Sequence, residues 1–232
     1  MAPRLRFPLS DHSDGQRFFN PRGQRPAAAF SALIKWGYQR LILRQKINWP
    51  KALRPNREAL VPQPSSSGKT AVTFIGHSTF LLQQPNLNLL TDPIFSERAS
   101  PFPWVGPKRV RPPALKLTEL PPIQVVLISH NHYDHLDLPT LRWLAREHQP
   151  QFITMLGNKA WLEKHGVKNV VELDWWQTHQ AGRGLEVTGT PAQHFSARWP
   201  WDRCQTLWGG FALKTPTGKF YFAGDSGYNQ TF

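Results

Sequence analysis

The stretch VVLISHNHYDHLDL, residues 125–138, constrains this chain more than any other. A continuous run of apolar β-formers leads straight into three histidines and two aspartates within eight residues. An apolar run without alternation reads as a strand buried on both faces. Its end is where strand gives way to loop, and loops held by a rigid scaffold are where function concentrates. The order there is H-x-H-x-D-H: His130, His132, Asp134, His135. Two histidines two residues apart can face the same way and bind one metal ion. Asp134 and His135, past the turn, can reach a second ion nearby. Neutral imidazole with carboxylate is a ligand set for zinc that also tolerates iron or manganese. Paired ions about 3.5–4 Å apart can clamp both oxygens of a displacement reaction. A surface loop with chance histidines has no need of such a density of imidazole.

Two further residues fit a shared site. His194 lies in GTPAQHFS, after the strand-like LEVTG, and Asp225 lies in FYFAGDSG, at the end of a very apolar run. Each is a lone polar group at a predicted strand terminus. Taken singly, each suits a structural role; beside the histidine cluster they are the natural completing ligands.

The rest of the chain sets the frame. AVTFIG, STFLLQQ and NLLTDP read as a β-meander, and residues 96–122 as a long loop rich in Pro and Arg. IQVVLIS, QFITML and NVVEL read as strands, with helices LPTLRWLAREH and NKAWLEKHG between them. GLEVTGTPAQHFS, TLWGGFALKT and KFYFAGDSG follow as further strand-rich segments. Strand–helix alternation flanked by strand-rich ends predicts an α/β sandwich with mixed sheets. The net charge of +13 is uneven: residues 1–70 carry 13 Lys/Arg against 3 Asp/Glu, and residues 71–232 carry 15 against 12. Residues 1–70 are therefore expected as a basic arm, an amphipathic helix over 27–47 and a linker over 50–70, ahead of a hydrolase domain over 71–232. Such a segment suits an anionic partner (membrane phospholipid, nucleic acid or another acidic surface) or is simply a solvated extension. Its helix, with Trp36 and basic flanks, can lie in a membrane interface or, as most amphipathic helices do, pack on the domain. The single cysteine, Cys204, excludes an internal disulfide framework and a Cys-rich zinc site, and reads as a small core residue. His12, His148, His165 and His179 read as surface residues. No signal peptide or membrane-spanning run is visible, which predicts a cytoplasmic or peripherally membrane-associated chain.

The H-x-H-x-D-H signature, the later His194 and the segment around Asp225 resemble the metallo-β-lactamase superfamily. DGQRFFNP (14–21), FIGHSTFLLQ (74–83), LLTDPIFSERASPFPWVGPKRVRPP (89–113), PAQHFS (191–196) and FAGDSGY (222–228) extend the resemblance. They point to the branch of N-acylphosphatidylethanolamine-hydrolysing phospholipase D and its bacterial RomA-like relatives. The resemblance implies an αββα sandwich of two mixed sheets holding two divalent ions, zinc foremost. It implies that His130, His132 and His194 hold the first ion, Asp134 and His135 the second, and that Asp225 bridges them. Asp134 would also orient or deprotonate the attacking water. Asp92, in LTDP, would support the ligands from behind, and His77, in GHST, would do the same, touch substrate, or be a hydrogen-bonded core histidine.

The family pattern carries one more histidine after the bridging aspartate, so the chain is expected to lack the C-terminal elements of the fold. The implied activity is hydrolysis of an N-acylphosphatidylethanolamine-like phospholipid of the phospholipase D type. A lactonase of a soluble sugar phosphate, a two-metal nuclease and a non-catalytic metal-binding fragment are the rival readings.

Overall fold

A computed structural model describes residues 6–23, 38 and 70–228. The helix expected over 27–47 and the linker expected over 50–70 lie outside them, save for Tyr38 and Thr70. Within the described residues two sheets stack face to face, and two helices cover the outer face of the larger one.

The larger sheet contains β3 (Ala71–Gly76), β4 (Thr79–Gln84), β5 (Leu87–Thr91), β6 (Val125–Ile128), β7 (Gln151–Met155) and β8 (Val170–Leu173), paired in that order. The first three form antiparallel hairpins. β5 to β8 run parallel, with Leu89 opposite Val125 and Leu127 opposite Ile153. The smaller sheet has the order β12 (Gly218–Phe222), β11 (Gly210–Thr215), β10 (Glu186–Thr190), β9 (Thr178–Gln180). Every pairing in it is antiparallel, so only the larger sheet mixes directions. Short returns such as the turn between β11 and β12 allow nothing else, because a parallel neighbour needs a crossover of a dozen residues or more.

β6 shows why VVLI carries no alternation. Val125 and Leu127 point into the core between the sheets, beside Ile153, Val187, Phe211 and Trp208. Val126 and Ile128 point the other way, against α1 (Leu138–Glu147) and α2 (Lys159–Lys164) through Leu141, Leu144 and Leu162. Each such side chain contributes about 1.5–3 kcal/mol by leaving water. α1 buries Thr140, Leu141 and Leu144 on one face and starts at Asp137 with Pro139 in its first turn, where a missing N–H costs nothing. The layers are thus α, β, β among the described residues.

Residues 6–23 pack on this sandwich instead of extending from it. β1 (Leu9–Ser10) and β2 (Ser13–Asp14) form a small ladder. Phe18 is buried in the core between the sheets, and its N–H donates to Cys204 O at 2.8 Å. His12, expected at the surface, is buried: Nε2 lies 2.8 Å from Asp174 Oδ1, Nδ1 lies 2.6 Å from Asp11 Oδ1, and the ring stacks on Trp175. Nothing local to the sequence DHSDG announces a partner so far along the chain. Cys204 is buried, as a small core residue should be.

Candidate metal centre

The residues singled out in the sequence converge at one end of the two sheets. His130 to His135 occupy the loop leaving β6. Asp92 directly follows β5, His77 sits in the turn between β3 and β4, and His194 and Asp225 lie on the chain leaving β10 and β12. Ligand sites in open α/β sheets lie outside the carboxyl ends of strands for the same reason: the strands are rigid and the loops are free to carry polar groups.

Three imidazoles form the first group. His130 Nε2 is 2.8 Å from His132 Nδ1, which is 3.2 Å from His194 Nε2. Burial, and then the neighbouring imidazoles, hold His130 well below the ordinary histidine range. Burial holds His132 down to about 4, and His194 is lowered by the same cause. All three are therefore neutral near pH 7 and face one another with nitrogen atoms. Neutral imidazoles crowded in this way can offer lone pairs to a cation between them.

The second group is His77, Asp134 and His135. His77 Nε2 lies 3.2 Å from Asp134 Oδ2 and 3.3 Å from His135 Nε2. Burial opposes ionisation of Asp134, but the hydrogen bond from His77 and the charge of His135 outweigh it and hold the carboxyl below its usual range. Burial likewise opposes the His135 cation. Hydrogen bonds to Asp225 and Asp92 overcome that and lift His135 to about 10, so a metal arriving here displaces a proton. Asp225 joins the groups: Oδ2 is 3.2 Å from His135 Nε2 and 3.7 Å from His194 Nε2. The donor atoms of each triad lie within 4.8 Å of one another, and this mix of imidazole and carboxylate fits divalent ions.

Behind these groups lies a second set of contacts. Asp92 is fully buried. Its Oδ1 accepts from Ser129 N at 2.7 Å, and its Oδ2 accepts from Ser129 Oγ and from His135 Nδ1, each at 2.6 Å. The Ser129 hydroxyl proton is thereby committed to Asp92, so Ser129 Oγ accepts from His130 Nδ1–H at 2.8 Å. One carboxylate thus holds Nδ1 of both histidines, directly or through Ser129, and turns Nε2 of each toward the place of a metal. His77 and Asp92 also hold positive φ angles of 51° and 34°. Such strain in non-glycine residues gathers where a site needs a side chain aimed. Gly224, at φ 61°, lets the chain after β12 pass Ser129, since a Cβ there would lie 2.7 Å from Ser129 Cβ. That passage delivers Asp225.

Sequence reading missed three positioning residues. Ser129 ends the VVLIS run and looks like a small strand residue. Arg198 donates to Asn131 O and Leu136 O, each at 2.9 Å, and lies over the Tyr133 ring at 4.0 Å, clamping the loop that carries the cluster. Asn20 accepts through Oδ1 from His194 N at 2.9 Å and from Trp208 Nε1 at 3.1 Å. The one local signal for Asn20 was its place in DGQRFFNP. Against the mouth of the site lies a cavity of about 570 Å³ whose lining includes Phe74, His77, Lys108, Val110, Arg111 and Asp134.

Comparison with known proteins gives the chain its family and its fold relatives. An uncharacterised protein of Mycobacterium tuberculosis is 40% identical over 202 residues, covering 86% of this chain and 53% of that protein. N-acyl-phosphatidylethanolamine-hydrolyzing phospholipase D 1 of Caenorhabditis elegans is 35% identical, covering 71% of this chain and 48% of that protein. The chain spans about half the length of these curated relatives. The solved structure of Igni18, a novel metallo hydrolase from Ignicoccus hospitalis, shares the fold with a TM-score of 0.53 at 20% identity, covering 69% of this chain and 63% of that one. The family described as beta-lactamase superfamily domain matches residues 87–231, which take in His130, His132, Asp134, His135, His194 and Asp225, and this chain belongs to that superfamily.

Proposed function

We propose that this chain carries the core of a metal-dependent phosphodiesterase that cuts N-acylphosphatidylethanolamine-like phospholipids in the phospholipase D manner. The observation that carries the reading is the position of Asp225, with one carboxylate oxygen facing both His135 Nε2 and His194 Nε2. A carboxylate shared in this way suits a pair of ions, and a pair suits phosphoryl transfer to water. In this reading His130, His132 and His194 hold one zinc ion, Asp134 and His135 hold a second, and Asp225 lies between. When bound, the ions supply Lewis-acid polarisation of a phosphoryl oxygen and a water acidic enough to attack near neutral pH.

The remaining work falls to the side chains. Asp92 and Ser129 hold the Nδ1 protons of His135 and His130, so that Nε2 of each is the atom turned toward the ions. Asp134, ionised at neutral pH, accepts the proton of the attacking water. His77, half exposed at the cavity, donates to a phosphate oxygen, and Lys108 and Arg111 offset the charge of the phosphodiester. The new bond joins the water oxygen to phosphorus. The broken bond joins phosphorus to the ethanolamine oxygen, which leaves with a proton. The products are phosphatidic acid and an N-acylethanolamine. The C. elegans relative, named for this reaction, supports the substrate class.

Residues 71–232 form the hydrolase domain in this proposal, and residues 1–70 a basic extension of which residues 6–23 fold back onto it. Among the described residues no helix is long and apolar enough to cross a membrane.

The test follows N-acylethanolamine release by mass spectrometry. The full chain should release it when loaded with zinc, stop on chelation and resume when zinc is restored. A folded, metal-loaded chain that releases none, yet opens a sugar-phosphate lactone or cuts nucleic acid, would overturn the substrate class.

A further inference from the structure

Two loops at the mouth of the site expose large apolar side chains that a water-facing surface has no use for. On the loop after β5, Trp104 is 73% exposed, Phe102 and Val105 are also exposed, and the Phe102 and Trp104 rings stack at 5.4 Å. On the loop between β10 and β11, Trp201 is 68% exposed and stacks with Trp199 at 5.3 Å, the rings tilted by only 2°. The loops are neighbours: Ser100 and Pro101 of the first share one cleft with Arg198 and Trp199 of the second. Phe74 and Val110, exposed as well, carry the apolar rim into the cavity that reaches His77 and Asp134. Exposed aromatic side chains gathered on neighbouring loops and framed by charge mark a docking face.

The framing charge decides what docks. Residues 96–113 hold Arg98, Lys108, Arg109 and Arg111 against Glu97 alone. Lys108 answers Glu97 at 2.7 Å, while Arg98 and Arg109 donate to backbone oxygens within the loop, which orders it. The surplus is positive and sits among the aromatics. Trp beside Lys or Arg is the composition that settles at a lipid headgroup boundary, where the rings enter the acyl edge and the cations meet anionic headgroups.

We propose that the rim formed by residues 98–111 and 199–201 docks on an anionic phospholipid bilayer, with Trp104 and Trp201 entering it. The cavity then connects the membrane plane to the metal centre, and a phospholipid can present its phosphodiester without leaving the bilayer. This rests on the phospholipid reading above, but it names a different surface from the N-terminal segment that the sequence offered for membrane contact.

Sedimentation of the full chain with phosphatidylcholine vesicles, with and without phosphatidylglycerol, tests it. Binding should be at least tenfold stronger to the anionic vesicles. The variants Phe102→Ser/Trp104→Ser and Trp201→Ser should each lose most of it, with melting temperature and metal content unchanged. Wild-type binding by both variants would overturn the proposal and leave residues 1–70 as the contact. A wild-type dimer in solution that both variants disperse would overturn it too, because the rim would then belong to a second copy. Docking that disappears in the variants, in a chain that cleaves no N-acyl phospholipid, would uphold the docking face and sink only the substrate reading.

Discussion

Replacing Asp92 with Asn tests how the site controls its own ligands. The change is nearly isosteric, so the fold has no cavity to absorb. Oδ1 still accepts from Ser129 N, but an NH₂ group now stands where Oδ2 accepted from Ser129 Oγ and His135 Nδ1. An amide nitrogen only donates. His135 must therefore offer Nδ1 as acceptor and carry its proton on Nε2. The Ser129 hydroxyl, no longer held by a carboxylate, turns to donate to His130 Nδ1 and drives that proton to Nε2 as well. Both histidines then present N–H where a metal needs a lone pair. Loss of one such outer contact costs about 10–100-fold in metal affinity. With two ligands turned at once, an overall loss of about 100-fold or more follows, roughly 2.8 kcal/mol at 1.4 kcal/mol per decade. Chelator competition with zinc, on wild type and variant, measures it, and a thermal melt of the metal-free chains controls for folding. An Asp92→Asn chain that melts like wild type and binds zinc as tightly would refute the tautomer argument.

Other outcomes follow from the same contacts. Burial alone would lower the His12 pKa, but hydrogen bonds to Asp174 and Asp11 outweigh it, so the folded value is raised. The His12 contribution to stability is therefore full below about pH 6.5 and fades as pH rises through the folded value. The melting-temperature gap between wild type and His12→Gln should narrow as buffers run from about pH 6 to about pH 9; a constant gap would show that the ring packing on Trp175 is all that matters. Gly224→Ala forces a Cβ against Ser129 at a left-handed φ and should displace Asp225, costing one metal equivalent by elemental analysis while the β11–β12 hairpin persists. Arg198→Lys retains charge but cannot span Asn131 O and Leu136 O while lying flat on Tyr133. It should lower stability by about 1–3 kcal/mol in urea unfolding, the range for buried acceptors left unpaired.

Much of this was legible because it is local. VVLI declares its burial by lacking alternation, AVTFIG matches β3 over its whole length, and H-x-H-x-D-H marks where a strand stops. His77 and Asp92 were legible as residues of interest, but their aim comes from positive φ angles that no propensity announces. The misses were long-range. β9 is three residues, defined by its partner β10 and not by its own pattern. Residues 6–23 look irregular because their order comes from Phe18 entering a core built by other segments. Asn20 and Arg198 are ordinary polar residues until the chain brings carbonyls, an amide or a ring to them.

The bond from His194 N to Asn20 Oδ1 joins residues 174 apart in sequence. A contact of that span is among the slowest to close, since loop-closure entropy must be met before the contact gives anything back. During synthesis the early segment waits exposed, with Phe18 unburied, until β10 to β12 have emerged. The group of His130, His132 and His194 is therefore complete only once residue 194 has joined residues 130 and 132. An ion that needs all three histidines cannot guide the folding of the segments that precede β10. Availability of metal would then govern how much of the folded chain becomes active, while the yield of folded chain is set earlier by whether the first residues avoid wrong partners in the interval.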